Sequence, residues 1–281
     1  MSVKMRVMYY GNQNVGAACL QELLSHQAIE VVGVVVLDPF PDETLKYRSV
    51  RQVAESAGVP VHAPENINDE TFVSFVREQD VDYGLSVAWR KIFKPPLIRA
   101  HKKGILNFHG AYLPHYRGAN PTNWALLRGA RTTGVTVHFV DEGVDTGPIV
   151  LQRKLAIGPE ETAWQVRQRQ DSLSVELMRE LVGLITQGSE LPRTPQDPRL
   201  GRTYGVRKPQ DGLLNFEKPA CELYNQIRAL THPYPGAFTY VQGRKLVIWW
   251  AEVVSRPEGP GVFFRCGDGN FLKVVDAETV S

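Results

Sequence analysis

Asn107 and His109 stand two residues apart at the end of a short apolar run, Ile105-Leu106, and the run breaks at Gly110. Side chains alternate along a strand with period two, so an amide and an imidazole at this spacing point to the same face. Downstream, Val135-Thr136-Val137-His138-Phe139-Val140 reads as a second strand, followed by the acidic loop Asp141-Glu142-Gly143-Val144-Asp145-Thr146-Gly147-Pro148. If the two strands are neighbours, Asn107, His109 and Asp145 meet in one cleft. That set suits acyl transfer. The imidazole moves protons, the carboxylate orients it and raises its pKa, and the amide donates to a developing oxyanion.

The elements that must position these groups read as α/β. Met5 to Tyr10 is an apolar strand ending at Gly11, followed by a tight turn and a helix through Leu20 and Leu23. Ile29 to Leu37 is apolar on both faces, as parallel strands are. Gly11 to Gly16 lacks the spacing of a dinucleotide or phosphate loop and reads as a packing turn. Asp38 to Lys46 reads as a loop, Tyr47 to Ala57 as a helix, and Gly58 to His62 as a short edge strand. Asn68 or Asp69 caps a helix through Phe72 and Val76. Val81 to Val87 is a strand, with Ala88-Trp89-Arg90-Lys91-Ile92 at its carboxyl end, where ligands sit in open α/β sheets. Pro121 opens a short helix and Pro148 to Ile157 is another strand. Glu161 to Ile185 is a long helix with Trp164, Val166, Leu173, Val175, Leu177, Leu181 and Leu184 as its expected buried face. The reading is a Rossmann-like, mostly parallel sheet flanked by helices over residues 1–190. A proline-rich, basic linker spans 191–210, and a small, mostly β module spans 211–281.

A net charge of +2 points to no strong polyanion-binding face. The three cysteines, Cys19, Cys221 and Cys266, form no metal-ligand or redox pair, and the seven histidines show no zinc spacing, so no metal is expected. No stretch approaches the ~20 apolar residues needed to cross a bilayer. These features point to a soluble, cytoplasmic protein with no membrane partner.

Asn107-x-His109, Leu113-Pro114-x-Tyr116-Arg117-Gly118-x-x-Pro121-x-x-Trp124, Gly134-Val135-Thr136-x-His138 and Asp145-Thr146-Gly147-Pro148 follow one another in order. Together they resemble the folate-dependent formyltransferase family, which includes methionyl-tRNA, glycinamide ribonucleotide and sugar N-formyltransferases. The similarity runs from the first strand to at least Phe238. It implies transfer of a formyl group from N10-formyltetrahydrofolate to an amine through a tetrahedral intermediate, with Asn107, His109 and Asp145 as the catalytic residues. It places the pterin of the donor against Ala88, Trp89, Arg90 and Ile92 and against Asp141, Glu142, Gly143 and Val144, although Asp141 and Glu142 read equally as solvated loop charges. Tyr112, where many relatives carry leucine, Arg117 and Asn120 are assigned to the acceptor. Tyr116 and Arg117 read also as anchors of their loop. Ala119 replaces an arginine that some sugar-transferring relatives hold near folate.

For the acceptor, Tyr47-Arg48-Ser49-Val50, Gly58 to Asn66 and Arg228 to Tyr240 are similar to the formyltransferase domain that modifies UDP-4-amino-4-deoxy-L-arabinose. Pro39 to Ser49 lacks the basic glycine-rich insert of the tRNA enzymes. The resemblance therefore implies a nucleotide-linked amino sugar. Methionyl-tRNA is the alternative, and a folate-binding protein without turnover is another. The missing dinucleotide fingerprint disfavours hydride transfer. The apolar strands of the tail could form a homodimer face.

Overall fold

The computed structural model describes residues 4–37, 48–188 and 190–280. The loop read over Asp38 to Lys46 lies outside them. From the amino terminus run β1 (Met5–Gly11), α1 (Gln13–Leu24), β2 (Ile29–Val35), α2 (Val50–Ser56), β3 (Val61–His62), α3 (Glu70–Glu78), β4 (Tyr83–Val87), α4 (Pro95–Arg99) and β5 (Ile105–His109). Next come β6 (Arg117–Gly118), α5 (Pro121–Leu127), β7 (Thr132–Phe139), β8 (Ile149–Ala156), α6 (Ala163–Thr186) and β9 (Thr203–Tyr204). Finally α7 (Ala220–Leu230) precedes β10 (Ala237–Val241), β11 (Arg244–Val254), β12 (Phe263–Arg265) and β13 (Phe271–Val280).

Seven strands form one sheet in the order β3-β2-β1-β4-β5-β7-β8. β1 is parallel to β2 and β4, and β4 is parallel to β5. β7 runs antiparallel to β5, so the sheet is mostly parallel, as read from the sequence. Both faces of β1 are buried, in alternate registers. Val7 and Tyr9 join a cluster with Ala17, Leu20 and Leu23 of α1 and Leu177, Met178 and Leu181 of α6. Met8 and Tyr10 join the other with Phe72, Val73 and Val76 of α3 and Leu97 of α4. That two-sided burial is why the first strands read as unbroken apolar runs. Asp69 is the cap of α3, its carboxylate accepting from the Phe72 amide at 2.7 Å.

The buried stripe of α6 differs from the expected one. Val166, Gln170, Ser174, Leu177, Met178, Leu181, Val182 and Ile185 are buried, while Trp164, Leu173, Val175 and Leu184 are half-buried. An apolar search passes over Gln170 and Ser174 although they sit at helical spacing on the same stripe. Gln170 is buried because it is used. Its amide donates to the carbonyls of Gly110 at 2.7 Å and Gly134 at 2.9 Å, tying α6 to the loop after β5 and to β7.

The chain divides into two compact units, Met1–Arg117, Gly134–Lys154 and Gln170–Arg202 in the first and Gly118–Thr133, Leu155–Arg169 and Thr203–Ser281 in the second. The first holds the seven-stranded sheet. Residues 191–202, read as part of a linker, belong to it because Thr194 pairs with Ile149 through both backbone groups, at 2.8 and 2.9 Å. In the second, α5 packs on α7, with the Asn123 amide donating to the Ala229 carbonyl at 2.7 Å. That unit also carries the antiparallel sheet β10-β11-β13-β12, the β-rich module expected at the carboxyl end.

Candidate active site

β5 and β7 are neighbours, and their register sets Asn107 opposite His138 and His109 opposite Thr136. Residues directly opposite in an antiparallel pair share a face. Asp145 enters from the loop between β7 and β8. Its Oδ2 lies 3.4 Å from His109 Nδ1, and its Oδ1 lies 3.5 Å from Asn107 Nδ2 and 3.4 Å from His138 Nε2. The amide, the imidazole and the carboxylate named from the sequence therefore stand together at the carboxyl end of β5, and His138 stands with them.

The hydrogen bonds fix which atom faces where. Ser86, fully buried on β4 and paired in register with Asn107, donates from its hydroxyl to Asn107 Oδ1 at 2.7 Å. The Asn107 amide thus turns its NH2 toward His138 and Asp145. A carbonyl only accepts, so the His138 contact to the Phe139 carbonyl at 2.8 Å puts the proton on Nδ1. Asn107 Nδ2 lies 3.3 Å from His138 Nε2. By the same reasoning His109 donates from Nε2 to the Tyr116 carbonyl at 2.8 Å.

His109 is 6% exposed. Loss of water disfavours its charged form and, with a smaller push from His138, holds its pKa below the ordinary imidazole value. The Asp145 carboxylate and the Tyr116 carbonyl pull the other way. The upward effect of Asp145 expected from the sequence is present, but burial outweighs it.

The loop from Gly110 to Gly118 is pinned from beneath. Thr136 Oγ1 donates to the Ala111 carbonyl at 2.7 Å and accepts from the Leu113 amide at 3.1 Å, and Gln152 Nε2 donates to the Leu113 carbonyl at 2.7 Å. Arg117 is buried, with Nε and Nη2 at 3.1 and 2.8 Å from Gln196 Oε1. Its guanidinium is spent inside the protein, in keeping with the anchoring role. Tyr112 is half-buried under Lys154, whose Nζ lies 5.0 Å above the ring. Asn120 is exposed, has φ 52° and ψ 48°, and belongs to the second unit.

The two segments assigned to the donor are differently built. Ala88 takes a left-handed backbone with φ 52°. Trp89 packs edge-on to Tyr10 at 5.5 Å and stacks on Phe93 at 6.1 Å. Arg90 is half-buried and Ile92 is 62% exposed. In the acidic loop, Asp141 Oδ1 accepts from the Gly143 amide at 3.1 Å and the Thr146 hydroxyl at 2.6 Å, which makes Asp141 a turn former. Glu142 and Gly143 are exposed, and Val144 is 41% exposed. Gly147 passes so close to the Phe139 carbonyl that a Cβ there would overlap it. Among the described residues no group of three or more His, Cys, Asp or Glu is arranged to hold a metal ion, and no helix is long and apolar enough to cross a membrane.

Two polar residues of the site, Ser86 and Gln196, go unnamed in the sequence reading, and His138, quoted in the Gly134-Val135-Thr136-x-His138 motif, is given no role there. Ser86 and His138 had a signal, since each is a polar side chain inside an otherwise apolar strand, but pairing either with Asn107 requires the strand order. Gln196 lies in a proline-rich stretch that read as linker, and nothing in its sequence surroundings marked it.

Known proteins share this architecture. The chain is similar along its whole length to WlaRD, a sugar 3N-formyl transferase solved with dTDP and 5-N-formyl-THF, with a TM-score of 0.73, 19% identity and 99% of both chains covered. It is similar to an N-formyltransferase from Helicobacter canadensis solved with folinic acid and dTDP-3-aminofucose, with a TM-score of 0.71, 18% identity and 97% and 99% covered. Phosphoribosylglycinamide formyltransferase from Bacillus halodurans aligns with 66% of this chain and 97% of its own, with a TM-score of 0.57 and 23% identity. These likenesses share the fold. The formyl transferase family model matches residues 3–182, well over half of the chain, and the model of the formyl transferase C-terminal domain matches 207–279. The chain therefore belongs to the formyl transferase family and is an enzyme that transfers formyl groups.

Proposed function

We propose that the protein moves a formyl group from N10-formyltetrahydrofolate to the amine of a nucleotide-linked amino sugar, with Asn107, His109 and Asp145 as its catalytic residues. The observation that carries this reading is the convergence of those three side chains, with the Asn107 amide hydrogens directed outward from Ser86. The acceptor amine attacks the formyl carbon, and the carbonyl oxygen becomes an oxyanion. Asn107 Nδ2 is suited to receive it, because its 3.5 Å contact with Asp145 is long and easily exchanged. A ring held neutral by burial is a base at neutral pH, so His109 takes the proton from the attacking nitrogen. Returning that proton to N10 as the carbon–N10 bond breaks completes the transfer and leaves tetrahydrofolate and the formamide. Relay through Nε2 requires the ring to release the Tyr116 carbonyl and to carry its own proton on Nδ1, facing Asp145, so that the Nε2 lone pair meets the substrate. Asp145 orients the ring and stabilises its transient charge.

The donor assignment is supported by two exposed apolar side chains, Ile92 and Val144, one on each segment expected to hold the pterin. The acceptor assignment is supported by the dTDP present with WlaRD, a sugar 3N-formyl transferase, and by the dTDP-3-aminofucose in complex with the Helicobacter enzyme, both of which match nearly the full chain. A screen of UDP-, dTDP- and GDP-linked amino sugars beside methionyl-tRNA, read by mass gain of one formyl group, tests it. Formylation of methionyl-tRNA with none of the sugars would sink the acceptor reading.

A further inference from the structure

Gln196 spends its whole side chain on two loops that meet at His109. Its Oε1 accepts from Arg117 Nε and Nη2, at 3.1 and 2.8 Å, and its Nε2 donates to the carbonyls of Asp145 at 2.9 Å and Gly147 at 2.7 Å. An amide has two acceptor sites and two donor hydrogens, and all four are used. Two residues earlier, Thr194 is fixed to Ile149 through both backbone groups. Gln196 is therefore carried on an anchored segment.

The two loops hold the partners of the two His109 nitrogens. Tyr116, whose carbonyl accepts the hydrogen bond from Nε2, directly precedes Arg117 and has φ 58°. Asp145, whose carboxylate faces Nδ1, has φ 53°. Non-glycine residues adopt this left-handed backbone only where surrounding contacts impose it. One side chain thus ties down both.

We infer that Gln196 is a positioning residue for formyl transfer, one that sets the Asp145 carboxylate against His109 without touching substrate. The inference rests on the assignment of Asn107, His109 and Asp145 as the reacting site. Gln196→Glu separates the two halves of the clamp. A carboxylate keeps both Arg117 contacts and adds charge to them, but it turns lone pairs toward the Asp145 and Gly147 carbonyls. Gln196→Met removes both halves.

With the acceptor that turns over in the sugar screen, both variants lose about 10- to 100-fold in kcat, the range expected when catalytic groups are misplaced by about an ångström, with KM for donor and acceptor little changed. In an Asp145→Asn background, the further change on adding Gln196→Met shrinks to within about threefold, because a residue acting through Asp145 has nothing left to position. Imidazole nitrogen resonances of histidine-labelled protein, with His109 identified by its absence in His109→Gln, provide a reading that needs no acceptor. The His109 titration is displaced in both variants. Wild-type kcat in Gln196→Glu would show that only the Arg117 pair matters and would overturn the inference. So would additive losses with Asp145→Asn, a His109 titration superimposable on wild type, or loss of the fold in both variants. Should no amine turn over, the resonances decide alone.

Discussion

Truncating Asn107 separates catalysis from stability in a way that can be worked from the site. Asn107→Ala removes the NH2 group proposed to meet the oxyanion. One such donor is worth ~3 kcal/mol of barrier, so turnover falls by roughly two to three orders of magnitude. The same change strips Ser86 of its acceptor. Ser86 is fully buried and bonds Asn107 at 2.7 Å, so its hydroxyl is left without that partner, at a cost of about 1–3 kcal/mol in stability. Replacing both partners removes that cost, because no orphaned group remains. Ser86→Ala/Asn107→Ala therefore regains stability over Asn107→Ala yet stays slow. Single-turnover formyl transfer at saturating donor and acceptor gives the first quantity, and urea denaturation the second. Turnover of Asn107→Ala within about threefold of wild type would remove the amide from the mechanism. Recovery of rate along with stability in the double variant would show that the loss had been structural.

Two further outcomes follow from buried histidines. Burial holds the His109 pKa below its ordinary value, so the acidic limb of kcat/KM lies lower than for a solvated imidazole. In Asp145→Asn it moves lower still, since the carboxylate that favours the charged ring is gone, and an upward shift of that limb would refute the assignment. His101 is 3% exposed and donates from Nδ1 to the Leu97 carbonyl at 2.9 Å, with Nε2 3.2 Å from the Tyr10 hydroxyl. Burial lowers its pKa from 6.5 to about 4. The unfolded chain therefore binds the extra proton first, and stability is lost as pH falls through 6.5 and levels off below about 4. At ~1.4 kcal/mol per unit this amounts to ~3 kcal/mol, which His101→Gln removes from the slope of urea stability against pH. Equal slopes in the two proteins would show that His101 is not what titrates.

Much of this was legible because strand periodicity and apolar runs report burial directly. Asn107 and His109 could be set on one face from their spacing, and Ala88 to Ile92 could be placed at the carboxyl end of β4. The antiparallel β7 was legible as a strand but not in its direction, which depends on how the chain returns after α5. The α6 stripe was misjudged because Gln170 and Ser174 are buried by what they bond rather than by what they repel. Gln196 was invisible for the same reason, since its value lies in four partners brought together only by the fold. Residues 118–133 and 155–169 group with the carboxyl-terminal stretch through contacts such as Asn123 with Ala229, which no local composition records.

The distribution of backbone strain bears on where the chemistry is. Among the described residues of the first unit the left-handed non-glycine residues are Gln13, Asp80, Ala88 at the end of β4, Tyr116 above His109, and Asp145 beside it. Each costs on the order of 1 kcal/mol or more, and none is a glycine, which would adopt the conformation freely. A turn under no other demand would have relaxed to glycine or asparagine at such positions. Asp145 cannot, since its carboxylate is what faces His109. At Tyr116 the useful group is the carbonyl, which reaches Nε2 only with the peptide turned this way. The strain is offset by neighbours whose bonds are otherwise unexplained, Gln196 above all. A backbone held uphill at the two contacts of one imidazole, with one side chain bonded to both of the loops concerned, supports the proposed role of His109.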